Sequence, residues 1–262
     1  MTAYLLTDSA TMFRRDLRRL RRYPSLTFFM AVLPIMFLLL FVYVFGGTLG
    51  AGLGATTDAR AHYIGYVVPG ILIIAIASAP QGTAIVVAMD MTTGLISRFR
   101  TMAIARAAVL TGHVLGAVVQ TMLAVLLVVI VALLIGFRPT TGPVEWLAAT
   151  GLLVLVSFSL TWIAVALGLV ANSVETASNL PIPLSLLPFL SSGFVPTSSM
   201  PGPLKVFADI QPFTPITETL RGLLLGTPIG DSGWIAVAWC VGLSVVGYLW
   251  ATRLYDRVRA TA

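Results

Sequence analysis

The chain has 262 residues, of which 58% are hydrophobic and only 10% are charged, and its formal net charge is +6. Soluble domains carry about 25% charged residues, so this composition excludes an ordinary soluble protein and indicates one that crosses a membrane several times. The single cysteine excludes an intramolecular disulfide.

Six long uncharged runs divide the chain, and a membrane-spanning helix needs about 20 apolar residues. We therefore predict an all-α integral membrane protein with one transmembrane domain over residues 1–262. The six predicted transmembrane helices cover residues 27–45, 63–89, 109–136, 146–171, 179–195 and 234–252.

Prolines mark two of these runs. Pro69 and Pro80, in the second run, free backbone carbonyls that neighbouring helices must satisfy, which predicts a helix packed inside the bundle. The fifth run contains Pro181, Pro183 and Pro188, which argue against a continuous straight helix there.

The distribution of charge predicts the orientation of the chain. If the N-terminus is cytoplasmic, 12 of the 16 basic residues lie on the inner side, while the 10 acidic residues divide equally. The positive-inside rule then places both termini in the cytoplasm. Residues 196–232 become a predicted outer lid that contains two short helices. Charge sorted by side in this way indicates a membrane protein and not a nucleic-acid-binding surface.

Residues 8–23 are predicted to form an amphipathic helix in the inner headgroup layer, because apolar residues recur on one face and arginines cover the rest. A simple charge cluster that sets topology is the alternative. The residues assigned to the interfacial helix are Phe13, Arg14, Arg15, Leu17, Arg18 and Leu20.

Residues 90–106 form a short basic segment between two apolar runs. Three arginines there surround Leu95, Ile96 and Phe99, a combination suited to a short helix seated in a groove of another protein. The alternative is that the arginines only satisfy the positive-inside rule, which does not account for Phe99.

The chemistry of an enzyme is missing from the sequence. A phosphate-binding loop needs a Gly-Lys-Ser/Thr core, and the only lysine, Lys205, does not lie in one. No Asp, Glu, Lys or Arg lies deep in a predicted span, which disfavours a proton-coupled carrier. His113, near the inner surface, is interpreted as an interfacial or packing residue, with a proton relay as the alternative. If the chain transports a substrate, the energy must then come from elsewhere, most simply from an ATPase subunit on a separate polypeptide.

Two groups of short motifs resemble those of one known family. The first comprises residues 93–100 (TGLISRFR), 104–106 (IAR) and 109–112 (VLTG). The second comprises residues 66–70 (YVVPG), 191–196 (SSGFVP), 200–201 (MP), 211–215 (QPFTP) and 220–224 (LRGLL). Together they resemble the ABC-transporter permeases of the daunorubicin-resistance type, in the type-2 exporter class. One departure is Ala103, in a region where the family usually has a proline.

The resemblance implies a six-helix exporter domain with an N-terminal connecting helix, a cytoplasmic coupling helix at residues 94–100 and an outer lid. It also implies a second permease copy or a paralogue and two ATPase subunits, which would carry ATP and Mg. No cofactor or metal is expected on this chain. The residues expected to dock the ATPase are Gly94, Leu95, Ile96, Arg98, Phe99, Arg100, Arg106 and Glu175.

The function expected from the resemblance is export of a drug-like or lipid-like amphipathic compound across the bacterial inner membrane. Export of a lipid-linked glycan or polysaccharide by the same fold, a proton-coupled carrier and a membrane scaffold are the alternatives. A pathway between two permeases would be lined by the first, second and fifth spans. Its candidate substrate contacts are Phe37, Phe41, Tyr66, Phe189 and Phe194, for which helix packing or lipid contact is the alternative role.

Overall fold

The computed structural model describes residue 22 and residues 24–54, 58–92 and 106–260. The residues assigned to the interfacial helix, 13–20, and the predicted coupling helix, 94–100, lie outside the described residues. Within the described part of the chain, every regular element is helical. This agrees with the predicted all-α class.

The helices are numbered here in chain order. They are α1 (Pro24–Leu40), followed by a π-helical turn (Phe41–Phe45), α2 (Gly46–Gly52), α3 (Ala59–Thr92), α4 (Arg106–Leu134), α5 (Pro143–Val170), α6 (Val174–Asn179), α7 (Ile182–Leu186), two 3₁₀ turns (Leu187–Leu190 and Thr197–Ser199), α8 (Gly202–Ile210), α9 (Phe213–Leu225) and α10 (Ser232–Ala260).

Five helical stretches among the described residues are long and apolar enough to cross a membrane, judged by length and composition. They are Thr27–Gly52, Ala59–Met91, Leu110–Leu134, Pro143–Val170 and Ser232–Tyr255. Residues 179–195, the predicted fifth span, form no continuous helix and are divided between the end of α6, α7, a 3₁₀ turn and the turn that follows it, as their three prolines predict. The three prolines there remove backbone donors and clash with the preceding turn, so no long helix forms.

The first membrane-length helix extends past its predicted end at residue 45, because helical structure continues to Gly52. Gly50 lies directly against the backbone of Ala59, where a Cβ atom would collide with the Ala59 carbonyl. The absence of a side chain at Gly50 lets α2 and the start of α3 approach closely. The connection between α2 and α3 is therefore limited to residues 53–58, and the helices on either side are longer than the predicted spans 27–45 and 63–89.

Helices α3, α5 and α10 run in the same direction. Val87, Leu169 and Ala251, from their C-terminal parts, share a buried cluster with Leu110 at the start of α4. Tyr63, Ala149 and Cys240, from their N-terminal parts, belong to a second cluster. We refer to the first of these regions as the Asp90 end of the bundle and to the other as the Arg221 end.

Because α5 and α10 both end at the Asp90 end, the chain between them must return to the Arg221 end. The returning segment lies along α3. Ala177 packs with Ala84 and Ala88 of α3, and Gly193 contacts Gly70. Residues 84 and 70 are separated by about 21 Å of helix, at roughly 1.5 Å per residue. The broken segment therefore covers most of the length of a membrane crossing.

Helix α3 is the centre of the bundle, and residues 67–77 are all buried. It remains one helix of 34 residues through Pro69 and Pro80. The interior position predicted from these prolines is confirmed. A helix that is apolar on all sides can pack among other helices or face lipid, and the broken segment supplies part of the protein cover of α3.

Candidate functional site at the Arg221 end

Four phenylalanines from distant parts of the chain form a continuous aromatic cluster, which consists of Phe37, Phe41, Phe189 and Phe194. The ring centroids of Phe37 and Phe189 are 5.3 Å apart and those of Phe189 and Phe194 are 5.4 Å apart. The centroids of Phe194 and Phe41 are 4.5 Å apart. Phe194 is buried, whereas the other three rings are partly exposed, so the cluster keeps exposed aromatic surface.

The π-helical turn Phe41–Phe45 places one ring of this cluster. A π-helical turn widens the helix and shifts the side chains that follow, and such turns occur often at functional sites. Here it begins at Phe41, whose ring also lies 5.8 Å from that of Phe45. The irregularity in the helix therefore coincides with the contact between α1 and the returning segment.

A tight turn at residues 191–194 carries the buried ring of Phe194 and is held against α3 by two tyrosines. The hydroxyl of Tyr66 donates a hydrogen bond of 2.9 Å to the carbonyl of Ser192. The hydroxyl of Tyr63 donates one of 3.3 Å to the carbonyl of Phe194. Tyr66 therefore adjoins the aromatic cluster, so the structure brings together all five predicted substrate contacts. Their role in binding a substrate stays a prediction.

Arg221 contacts the same turn from α9. Its Nη2 donates a hydrogen bond of 2.7 Å to the carbonyl of Ser192, and Nε and Nη2 lie 3.4 and 3.3 Å from the carbonyl of Tyr66. The guanidinium carbon lies 3.9 Å from the centroid of the Tyr66 ring. Burial lowers the pKa of Arg221, while Tyr66 and Glu218 counteract the shift. The carbonyls and the ring thus compensate a cation that is partly removed from water.

Helix α9 holds Arg221 in place because its core face and its C-terminus are both fixed. Phe213, Ile216 and Leu220 are buried in the core at helical spacing. At the C-terminus, the hydroxyl of Thr140 donates a hydrogen bond of 2.8 Å to the carbonyl of Leu225. Gly226, with φ of 70°, supplies the left-handed conformation that ends the helix.

The turn also lies at the closest backbone approach between α3 and the returning segment. A Cβ atom at Gly70 would lie 2.7 Å from the carbonyl oxygen of Gly193 and 2.8 Å from its Cα. Two residues before Ser192, the carbonyl of Leu190 accepts a 2.7 Å hydrogen bond from Gln211 Nε2. Contacts from three sides therefore fix this short stretch of backbone.

No local sequence pattern predicts the roles of Arg221, Tyr63 and Gln211 or the contact between Gly70 and Gly193. All of them lie in or beside the motifs 66–70, 191–196, 211–215 and 220–224, which are far apart in sequence and meet at this site. Arg221 is one of the four basic residues that the positive-inside count leaves on the outer side, and it also lies in the motif 220–224. An available signal was its position in a largely apolar helical segment.

The predicted docking residues that the structure describes lie at or near the Asp90 end. Glu175 is exposed in the first turn of α6, which Ser173 caps by accepting a 3.1 Å hydrogen bond from the Thr176 amide. Arg106 is the first residue of α4. His113 Nε2 lies 3.1 Å from Asp90 Oδ2, which joins the start of α4 to the end of α3. His113 therefore does contribute to contact between helices.

Comparison with known proteins decides the family. A family model described as "ABC-2 type transporter" matches residues 8–225. The chain belongs to the ABC-2 type transporter family. It is 31% identical over 242 residues, 92% of this chain and 80% of the relative, to the "Daunorubicin resistance ABC transporter permease protein DrrB1" of Streptomyces coeruleorubidus. It is also 24% identical over 215 residues, 82% of this chain and 76% of the relative, to the "Probable doxorubicin resistance ABC transporter permease protein DrrC" of Mycobacterium tuberculosis.

Membership of the ABC-2 family confirms the resemblance found in the sequence. It identifies the chain as a multi-pass membrane permease subunit of an ABC exporter, a class of subunit that is not itself catalytic. The family also implies an ATPase partner. The matched region contains all four motifs that meet at the Arg221 end.

Proposed function

We propose that this ABC-2 permease exports a flat, amphipathic, aromatic compound from a bacterial cell, with energy supplied by an ATPase on a separate polypeptide. The observation that carries the proposal is the aromatic cluster, which joins α1 and the returning segment and retains exposed ring surface. Offset and edge-on ring contacts of this kind bind flat apolar molecules well. The two relatives are named for resistance to daunorubicin and doxorubicin, which are such compounds.

The chain crosses the membrane six times on this proposal, with both termini in the cytoplasm. The parallel course of α5 and α10 supports the additional crossing, because the chain must return between them. The returning segment, Val174 to Phe194, would be that crossing, and α3 would shield its broken backbone from lipid. The positive-inside rule then assigns the Asp90 end to the cytoplasm.

The Asp90 end would receive the force generated by ATP hydrolysis. The predicted coupling helix, residues 94–100, is bounded by α3 and α4 in sequence, and Glu175 is exposed on α6. Two ATPase subunits carrying ATP and Mg, and a second permease copy or a paralogue, would complete the transporter. The aromatic cluster would then lie beside the seam between the permeases.

The proposal is tested in membrane vesicles that contain the permease and its ATPase, with daunorubicin as the fluorescent probe. Phe189→Ala and Phe37→Ala are compared with Phe28→Ala, a matched control on the exposed side of α1 whose ring lies outside the cluster. One aromatic contact contributes about 0.5–1.5 kcal/mol, so each cluster variant should raise KM for daunorubicin by roughly 2- to 12-fold. The control should match the parent protein.

Three outcomes would contradict the proposal. If the cluster variants have the same KM as Phe28→Ala, the aromatic cluster does not line the pathway. Transport that persists without ATP and collapses with the proton gradient would indicate a carrier. Absence of ATP-dependent flux of daunorubicin, of a fluorescent phospholipid and of a lipid-linked glycan would favour a scaffold.

A second experiment tests the docking surface separately. Arg98→Glu combined with Arg100→Glu should abolish co-purification of the ATPase, because the reversed charges would oppose a partner surface that accepts arginine. Arg138→Glu, which reverses a charge in the loop between α4 and α5, serves as the control. Unchanged co-purification of the ATPase with the double variant would show that residues 94–100 do not dock it.

A further inference from the structure

We propose that Arg221 is a positioning residue that sets the geometry of the aromatic cluster by holding the turn at residues 191–194 against α3. Its role in substrate selection rests on the proposed function of the cluster. Its role in holding the turn stands on contacts alone.

The contacts of Arg221 form a closed set with Tyr66 and Ser192. Arg221 Nη2 and the Tyr66 hydroxyl both donate to the Ser192 carbonyl, at 2.7 and 2.9 Å. The guanidinium also lies over the Tyr66 ring and contacts the Tyr66 carbonyl at 3.3 Å. Each of the three residues therefore contacts the other two, and displacement of one disturbs both remaining contacts.

The position of the Ser192 carbonyl affects the aromatic cluster because only a short length of backbone separates Ser192 from Phe194. Phe194 is two residues from Ser192, and its buried ring stacks on Phe189 with an interplanar angle of 6° and lies 4.5 Å from Phe41. A shift of the Ser192 carbonyl therefore moves the ring that links Phe189 to Phe41. Among the described residues, the ring that lies against the Arg221 guanidinium is that of Tyr66, not one of the four phenylalanines.

These contacts distinguish positioning from binding of an anionic substrate. The guanidinium donates to backbone carbonyls from two elements, and the Tyr66 ring lies against its face. An arginine that served to bind a carboxylate or phosphate would direct its fork of donors to open space. Lysine cannot reproduce the arrangement, because its ammonium has no planar fork and no flat face to stack on the ring.

The decisive measurement is the reaction of a single cysteine at position 194 with a maleimide in the intact permease–ATPase complex. The background carries Cys240→Ala, which removes the one native cysteine. With Phe194→Cys in this background, the thiol should react slowly, because residue 194 is only 6% exposed. Adding Arg221→Met should accelerate the reaction about tenfold, equivalent to about 1.4 kcal/mol of lost protection.

Three comparisons make the result specific. Arg221→Lys should also accelerate labelling, because charge without the fork does not hold the turn. Arg138→Met removes an arginine that also donates to two backbone carbonyls and should leave labelling slow. Ala177→Cys, buried at the Asp90 end, should stay slow in every variant and would reveal general unfolding if it did not.

Unchanged labelling at position 194 in Arg221→Met overturns the inference, and so does full restoration of protection by Arg221→Lys.

A parallel assay with Phe194 intact measures KM for daunorubicin-stimulated ATP hydrolysis. There, Arg221→Met should raise KM at least as much as Phe189→Ala. If KM is unchanged in both variants while labelling rises, the proposed function fails and the positioning role stands. If Phe189→Ala raises KM but Arg221→Met leaves labelling slow, the proposed function stands and the positioning role of Arg221 fails.

Discussion

Substitution of Gly70 by alanine should destabilise the permease, although alanine favours helices more than glycine does. The added Cβ would lie 2.7, 2.8 and 2.9 Å from the carbonyl oxygen, Cα and carbonyl carbon of Gly193. Ordinary contacts of a Cβ begin near 3.4 Å. The turn at residues 191–194 must therefore move away from α3, and this movement stretches the hydrogen bonds that Ser192 accepts from Tyr66 and Arg221.

The expected magnitude follows from two opposing effects. Forcing an extra carbon into a packed contact costs about 1–3 kcal/mol, because the neighbours must shift. Replacing a helical glycine by alanine regains roughly 0.5–1 kcal/mol. At the midpoints of these two ranges the net loss is about 1.25 kcal/mol, and for a chain of about this length it lowers the melting temperature by roughly 2–5 °C.

The control for this prediction is Gly82→Ala in the same helix, where an added Cβ would have no neighbour within 4 Å. It should leave the melting temperature unchanged or raise it by roughly 1–4 °C, since only the helix-propensity effect remains. Both variants are measured in detergent at one protein concentration. A Gly70→Ala protein that melts at or above Gly82→Ala would refute the close approach of α3 and the returning segment.

Three further predictions follow from other contacts. Gly168→Ala should lower the melting temperature, because its Cβ would lie 2.7 Å from the Ala84 carbonyl oxygen, whereas Gly151→Ala, with no neighbour within 4 Å, should not. Tyr66→Phe should reduce the free energy of unfolding by about 1 kcal/mol, because it loses the hydroxyl but keeps the ring beneath Arg221. An unchanged free energy of unfolding in a denaturant titration would contradict the hydrogen bond from Tyr66 to the Ser192 carbonyl. Ser173→Ala should remove the cap of α6 and accelerate amide hydrogen exchange at Ala177 and Leu180 about fivefold, as expected for a loss of about 1 kcal/mol; unchanged exchange would show that the cap is unimportant.

The helical architecture could be predicted because it follows from local properties of the chain. Apolar length and charge placement identify the membrane-length helices, and the prolines of α3 predict its interior position. The extension of the first helix to Gly52 could not be predicted in this way. It depends on contact between Gly50 and Ala59, and a glycine-rich stretch also suits a loop.

At the Arg221 end, too, features that depend on nearby residues could be predicted, whereas contacts between residues far apart in sequence could not. The five aromatic residues could be selected because they lie on spans expected to line a pathway. The role of Arg221 could not, because its carbonyl partners lie 29 and 155 residues away in sequence. No local pattern records that Tyr66 and Ser192 meet. The shared motifs indicated that these segments matter, but not that they contact one another.

Helix α3 connects the two ends of the bundle directly. It has 34 residues, and Tyr63, beside the turn, is separated from Asp90, beside His113, by about 40 Å of helix at roughly 1.5 Å per residue. A displacement of the Asp90 end must therefore either carry the turn with it or bend α3. Bending is easiest near Pro69 and Pro80, where the hydrogen-bond ladder lacks a donor. Pro69 lies one turn from the Tyr66 carbonyl that Arg221 contacts, and Gly70 beside it packs on Gly193. The contacts that position the aromatic cluster thus also brace the weaker part of the helix nearest to it.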